Sequence, residues 1–593
     1  MIVPMARTFV AAAARDRERL LDALGRAGVL HLSPVDPARA AADPRTLGAL
    51  HAIDSALQLL DGVAPAGEPP ALAPGEAAAE VAAIVREAAE GKLRLAALER
   101  EAAQIEPWGD VRLAQLEALA AAGVEFRLAT LPAAGVERIR AGCVATLATL
   151  ARGRCLVAVA SGRDEPLALP ESAELLARPA RDRPALRGEA RELETRLAAG
   201  SARLAALAGL RGRLRRARGE LQAAAGRAVA LGGGVEHGAL FAVQGWVPAR
   251  EAAGLERALD RAGVPAAVRV AAAGPADAPP TLLAPPRWAR PVLGLFRVLG
   301  LEPGYREIDV AAAFMIALPI FSAMLISDGG YSLLFALLPA VFYRRLVAQA
   351  GVELTRLLIV IGCLGVAWGI VTGSFFGVDL WRELFGRRPL VAVSLDDEAR
   401  NLLMLVSFVI GTVHLTVARI WRALALFPHP SCVAHVGWGI FLWGMFGVVR
   451  YFVLGSGVGP DTPFPYLLGA GALLAIVFAE PSPNPLKMLA LGLASFPLSM
   501  LGSFSDIMSY VRLMAIGLAG SALAVQFNAL AVAAGPLLVV PILVFGHGLN
   551  VGLCLIALFA HGVRLNVLEF SSNIGMEWTG YGYRPYAIVR QAE

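Results

Sequence analysis

The chain has 593 residues, 56% of them hydrophobic, with 54 Lys+Arg against 49 Asp+Glu and a formal net charge of +5. Residues 300–593 hold 16 Lys+Arg and 16 Asp+Glu, leaving 38 and 33 for residues 1–299, so 71 charges face 32 in stretches of nearly equal length. This excludes a purely soluble protein and predicts a charged N-terminal half joined to a membrane half, with no basic patch concentrated enough for nucleic acid.

The N-terminus, MIVPMARTFVAAAARDRERLL, has too short an apolar run before its charges to be a secretory signal, so the first half is expected in the cytoplasm. Residues 1–70 read as a small α/β lobe: RERLLDALGRAGVLHLSPVD is an amphipathic helix, a Gly turn and a short apolar strand. Two Ala/Glu/Arg/Leu-rich runs with helical spacing, about 76–105 and 183–231, flank a distal α/β lobe at about 107–182. They suggest an antiparallel helical hairpin or coiled coil carrying that lobe, two ordinary surface helices being the alternative. LFAVQGWVPAREAAGLERALDRAG returns as strand, turn and helix, and a Pro-rich connector at 275–291 closes an arm of residues 1–290.

Residues 291–593 read as an α-helical polytopic membrane domain. Apolar stretches lie near 309–327, 329–343, 354–376, 401–420, 433–454, 464–479, 487–533 and 537–570, about eight transmembrane helices. The last two far exceed the ~20 residues of a perpendicular span, so they must tilt, bend or project. Eight spans put both termini on one side. Arg344/Arg345, Arg419/Arg422 and Lys487 then fall in cytoplasmic loops, while the loop 382–390 breaks the rule.

Five cysteines (Cys143, Cys155, Cys363, Cys432, Cys554) show no CxxC spacing, so no zinc site or disulfide framework is expected. No P-loop, nucleophile elbow, HExxH or dinucleotide fingerprint is present. No catalytic residue, metal or cofactor is expected, and the chain is not an enzyme alone. His414, His429 and His435 read as interfacial histidines, and Asp328, before Gly-Gly, as a turn cap.

Two arginines stand out. Arg512 lies in SFSDIMSYVRLMAIGLAGSALAVQF and Arg564 in GHGLNVGLCLIALFAHGVRLNVLEF. A guanidinium keeps its proton, and mid-bilayer placement costs ~2.5 kcal/mol or more, so each needs a partner or an ion path. At 100° per residue, Arg512 shares a face with Ser505, Ser509, Ala515, Ala519, Ala522 and Gln526. The same projection puts Arg564 with His561, Ala557 and Asn550, and sets His547 and Glu569 to the side. Small-residue faces suit a close or sliding neighbour. The plain alternative is an in-chain ion pair to Asp506 or Asp328.

SDIMSYVRLMAIGLAGSALA resembles the arginine-bearing span of the large membrane stator of V-type and A-type rotary ATPases, subunit a or subunit I. GHGLNVGLCLIALFAHGVRLNVLEF followed by GYGYRPY is similar to that family's last span and tail. YREIDVAAAFMIALPIFSAMLISDGGYSLL looks like its first membrane segment, WGIVTGSFFG like its third span, and QGWVP and the PPT ending at Thr281 like the end of its soluble domain. The matches run in order from about 240 to 586, while the first 230 residues agree in layout more than in motif.

The resemblance implies that Arg512 and Arg564 face a rotor ring of proteolipids (c/L-type subunits), whose ion-carrying carboxylates supply the missing partner from another chain. It implies two ion half-channels, for which Glu569, His561, Asn550, His547, Gln526, Ser509, Asp506 and Glu480 are candidates, Glu569 at the cytoplasmic mouth. It implies peripheral stalk (E/G-type) subunits on the arm, central-stalk and catalytic head subunits in the same complex, and proton or sodium movement coupled to ATP hydrolysis or synthesis. Heavy Arg/Ala usage points to a bacterial plasma membrane, multi-pass, with both termini cytoplasmic. The chain departs from the family at Val310, where Pro is common, at Ser322 and Ser327, where Gly is usual, and at Gly520, where eukaryotic members often carry His. A secondary transporter binding an anionic substrate through its Arg pair is the competing reading. It predicts internal symmetry, which the chain lacks.

Overall fold

The computed structural model describes residues 1–587 apart from 37–38, 151–152, 163–166, 388, 395, 456–458 and 482–483. The loop 382–390 and the turn FAEPSPNPLK therefore each lie partly outside the described residues.

The arm begins with β1 (Met5–Ala13), α1 (Arg17–Ala27) and β2 (His31–Ser33), then α2 (Pro44–Leu60), α3 (Pro74–Gln104) and α4 (Leu113–Ala121). β3 (Glu125–Pro132), β4 (Cys143–Leu150), β5 (Arg154–Ser161) and β6 (Glu174–Leu175) form an antiparallel sheet in the order β4-β5-β3-β6. α5 (Arg183–Ala208) and α6 (Arg211–Gly233) return, followed by β7 (Val235–His237), β8 (Leu240–Pro248), α7 (Ala252–Arg261) and β9 (Ala266–Ala272). β8 pairs with β1 from Met5↔Pro248 to Ala13↔Leu240, so strands more than two hundred residues apart share a sheet ordered β2-β8-β1-β9, with β7 on β8. Gly245 is what admits β2: a Cβ there would sit 2.2 Å from the His31 carbonyl oxygen.

α3 and α5 pack antiparallel. Arg203 bonds Glu80 at 2.7 Å, Gly200 lies against Ile84, Gly91 against Leu197, and Arg94 bonds Glu189 at 2.8 Å, so one index rises as the other falls. The run 183–231, read as one helix, breaks at Gly209–Leu210. There the chain turns against Pro69 and α6 packs on α2 instead, through Ile53, Ala56 and Leu60 with Leu214.

Beyond α8 (Val292–Leu299), every apolar stretch is helical: α9 (Ala311–Ile326), α10 (Gly329–Val341) with α11 (Tyr343–Ala350), α12 (Val352–Thr372), α14 (Asp397–Leu426), α15 (Ser431–Leu454), α16 (Phe464–Val477), α17 (Pro485–Ser509), α18 (Val511–Ala533) and α19 (Val539–Ala557). A short hairpin, β10 (Ser374–Phe375) and β11 (Val378–Asp379), leads through α13 (Leu380–Phe385) into α14. Among the described residues five helices are long and apolar enough to cross a membrane: Val352–Thr372, Asp397–Leu426, Ser431–Leu454, Pro485–Ala533 and Val539–Ile574. α10 and α11 add a sixth if their 85° bend is one broken span, and α9 and α16 are shorter apolar helices. The chain is thus a helical membrane protein with an N-terminal α/β region, and length and composition support five of the expected eight spans among the described residues, or six if the bent pair is one span.

After α19 the winding loosens. Leu558–Gly562 and Leu565–Phe570 are π-helical, and α20 (Ser571–Ile574) restores the α-helix.

Candidate functional site

Arg512 lies one residue inside α18, and its side chain is 24% exposed. Arg564 stands between the two π-helical segments, and its side chain is 52% exposed. Both point at Glu569, which is buried: its Oε1 lies 3.5 Å from Arg512 Nη2 and 3.7 Å from Arg564 Nε. The expectation that the partner carboxylate belongs wholly to another chain is therefore corrected. The alternative of an in-chain pair is met, but by neither aspartate that it invoked.

Local winding explains why the helical projection failed. Five residues along an α-helix turn about 140° away, so Glu569 should lie off the Arg564 face. An i→i+5 helix brings the fifth residue back over the first, and Leu565–Phe570 is such a segment. The same loosening separates Arg564, exposed, from Asn550 and Ala557, both buried. On α18 no such break occurs, and Ala515, Ala519 and Gln526 are exposed on the side of Arg512, as the projection has them.

Polar residues gather on two sides of the pair. On one, His547 Nδ1 and the Tyr331 hydroxyl are 2.6 Å apart, and His547 Nε2 lies 3.1 Å from Asn528 Oδ1. Asn550 donates to the Tyr331 hydroxyl at 3.1 Å and to the Gly520 carbonyl at 2.8 Å, and Asn528 donates to the Phe376 carbonyl at 2.8 Å. On the other, Asp506 accepts from Asn573 Nδ2 at 2.7 Å, and the same amide donates to the Glu569 carbonyl at 2.7 Å. His561 is half-buried within electrostatic range of both arginines. Ser509 ends α17, half-buried, while Gln526 and Glu480 are exposed, the latter in the turn after α16. Geometry thus joins His547 with Asn550, and Asp506 with Glu569. It gives Gln526, Ser509 and Glu480 no part in either cluster.

Tyr331, Asn528 and Asn573 were not read from sequence. Tyr331 follows Asp-Gly-Gly and looks like part of a turn, and only tertiary packing brings it to α19. His414 also departs from the interfacial reading. It is buried in α14, with Nδ1 2.7 Å from the Tyr510 hydroxyl and its ring stacked on Phe570 at 4.5 Å.

Asp328 does cap the turn, and does more. Oδ1 accepts from Gly330 N at 2.8 Å, Tyr331 N at 3.1 Å and Phe376 N at 2.9 Å, and Oδ2 from Ser374 Oγ and Gly377 N, both at 2.9 Å. It pins the β10–β11 hairpin beneath α18, where Gly377 meets the Ala524 backbone. With both oxygens saturated it is unavailable to either arginine. Among the described residues no group of three or more His, Cys, Asp or Glu could hold a metal ion.

An α/β arm, a bundle of long apolar helices and two arginines meeting at a buried glutamate define a polytopic helical membrane protein with a charged site among its helices. The chain is a homologue of the proteins named V-type and A-type ATP synthase subunit I. It is 30% identical over 372 residues to V-type ATP synthase subunit I of Borreliella burgdorferi, covering 59% of this chain and 60% of that one. It is 24% identical over 394 residues to A-type ATP synthase subunit I of Methanocaldococcus jannaschii, covering 59% and 55%. The chain thus spans about 60% of the Borreliella protein it matches. A crystal structure of the cytoplasmic N-terminal domain of subunit I, homolog of subunit a, of V-ATPase aligns with 45% of this chain and 99% of that one at 20% identity. The TM-score of that alignment is 0.20. No family model matches the chain.

Proposed function

We propose that this chain is the membrane stator of a V/A-type rotary ATPase, a non-catalytic subunit that couples proton or sodium translocation to ATP hydrolysis or synthesis. The observation that carries the reading is the meeting of Arg512 and Arg564, from two adjacent long helices, at one site with their guanidinium groups partly exposed. Homology to subunit I supplies the context.

In this reading residues 291–593 cross the plasma membrane of a bacterium about eight times, counting the shorter helices, with both termini cytoplasmic. A ring of proteolipid carboxylates passes the exposed side of α18 and the helix that begins at Val539. An opposite charge nearby lowers a carboxyl pKa, so the arginines draw the proton off each arriving group and keep the two half-channels apart. His547 and Asn550, with Tyr331 and Asn528, line one route. Asp506 and His561, with Asn573, line the other, and Ser509, Gln526 and Glu480 stand outside both clusters, toward the mouths. The arm, residues 1–290, holds the peripheral stalks through its distal lobe, and head and central-stalk subunits complete the complex. The transporter alternative draws no support from the homology.

Arg512→Ala in the assembled complex tests this. ATP-driven ion pumping into vesicles should vanish while the complex still forms. Pumping at the wild-type rate would refute the assignment.

A further inference from the structure

The bundle contains two buried carboxylates next to functional elements, and they are held in opposite ways. Asp328 takes five donors between 2.8 and 3.1 Å, which leaves it no capacity for exchange. Glu569 takes none of comparable quality. Its two guanidinium contacts, at 3.5 and 3.7 Å, are longer than ordinary hydrogen bonds. Its other oxygen, Oε2, is buried without a hydrogen-bond partner among the described residues. A buried carboxylate that is close to two cations yet locked to neither is held by charge more than by fitted geometry.

Exposure gives this arrangement a direction. The Glu569 side chain is 6% exposed, Arg512 24% and Arg564 52%. The carboxylate is inside and the guanidinium groups reach outward from it. Each guanidinium has five N–H donors, so its outer edge can meet a second carboxylate while its inner edge keeps the first. The π-helical turn at Leu565–Phe570 is what brings Glu569 under Arg564. Such turns are rare and cluster at functional sites.

We propose that Glu569 is a resident counter-ion, which holds Arg512 and Arg564 when no rotor carboxylate stands opposite and leaves the site one negative charge short of neutrality. This rests on the stator reading above and changes the part Glu569 plays in it, from channel lining to charge balance. Two guanidinium groups against one carboxylate leave a net +1, which a single ionised rotor carboxylate cancels. The site therefore binds one such group at a time and releases it as the next arrives. Without Glu569, a net +2 would grip the rotor carboxylate and slow the rotor.

The test uses ATP hydrolysis by the assembled complex, which reports rotor turning. Glu569→Gln should slow hydrolysis on the order of tenfold, because a site left at +2 holds the rotor carboxylate more tightly than one at +1. Arg564→Gln combined with Glu569→Gln returns the site to +1, so hydrolysis should recover most of that loss even if ion pumping stays low. A carboxylate that merely lines a channel cannot be rescued by deleting an arginine, so a double variant as slow as Glu569→Gln overturns the proposal. If Glu569→Gln fails to assemble, assembly of the double variant supports charge balance, and its failure overturns it. Arg512→Ala separates the two levels: if that variant loses pumping while the double variant shows no rescue, the stator reading stands and the counter-ion role falls.

Discussion

The arm and the membrane bundle handle charge in opposite ways. On α3 and α5 the pairs Arg94–Glu189 and Arg203–Glu80 lie at the surface, and Glu189 is held below the usual carboxylate range by hydrogen bonds from Arg94 and then Arg181. Water solvates either partner when the other is removed, so such pairs add little stability. In the bundle, Asp328 and Glu569 have no such fallback. Each is only as stable as the donors or cations the fold places around it. A deletion in the arm should thus be absorbed locally, while the same deletion in the bundle leaves groups that nothing else can satisfy.

The sharpest break of this contrast is Asp328→Ala. It would orphan four backbone N–H groups and the Ser374 hydroxyl, and free the β10–β11 hairpin from α18. A loss of about 3 kcal/mol or more is expected, read as a large fall in melting midpoint and in the yield of assembled complex. Near-normal melting would show that water reaches this turn and that the bundle is wetter than its burial suggests.

The two regions also differed in how far sequence exposed them. Helical periodicity located α3 and the long membrane helices because burial of one face is written into residue spacing. It missed the break at Gly209–Leu210, since the reason for it is the contact with Pro69 and the switch of α6 to α2, both long-range. At the site, composition alone marked Arg512 and Arg564, because a guanidinium in an apolar run is costly anywhere. The partner was hidden by a change of winding: Glu569 is visible in the sequence, but a constant 100° projection turns it away from Arg564. Tyr331 and Asn528 were illegible for a different reason. Their polarity is ordinary for a turn and a helix end, and only α19 makes them a chain.

A smaller effect is expected where the bundle carries strain. Ser327, one of the positions where the chain departs from the family's Gly, caps α9 at φ +53°. A left-handed conformation costs an L-residue roughly 1 kcal/mol or more, so Ser327→Gly should raise the melting midpoint by an amount of that order. A fall instead would mean that its contact with Gly517 outweighs the strain.

Where arm and membrane domain are joined, the contrast becomes a titration. The C-terminal tail crosses back to the arm: Tyr586 N donates to the Leu30 carbonyl at 2.8 Å, the Tyr583 hydroxyl donates to the Val29 carbonyl, and Arg584 N donates to His31 Nδ1 at 2.9 Å. The His31 ring also stacks with Tyr583. Nδ1 accepts only while it carries no proton. Burial lowers the His31 pKa below its ordinary value, outweighing the backbone hydrogen bond with Arg584, which raises it, while the Arg584 charge adds a smaller lowering. A group whose folded pKa is depressed stabilises the fold above its unfolded pKa, near 6.5, and loses that contribution as pH falls below it. Amide exchange at Tyr583 to Tyr586 should therefore be slow at neutral pH and accelerate on acidification. His31→Phe should remove the pH dependence while keeping the stacking, and an unchanged profile in that variant would place the titrating group elsewhere.

The smallest expected effect is the most direct check on the arm. Arg203→Gln breaks the pair with Glu80, near the start of α3 and the end of α5, but leaves the apolar contact between Gly200 and Ile84 intact. Both charged side chains are partly in water, and their attraction is offset by the entropy of holding two long chains in one geometry. The melting midpoint should stay within error of the wild type at moderate salt. A measurable drop that disappears at high salt would show the pair acting as a real fastener. The arm would then depend on fixed charge as the bundle does, and surface position would not be what separates the two.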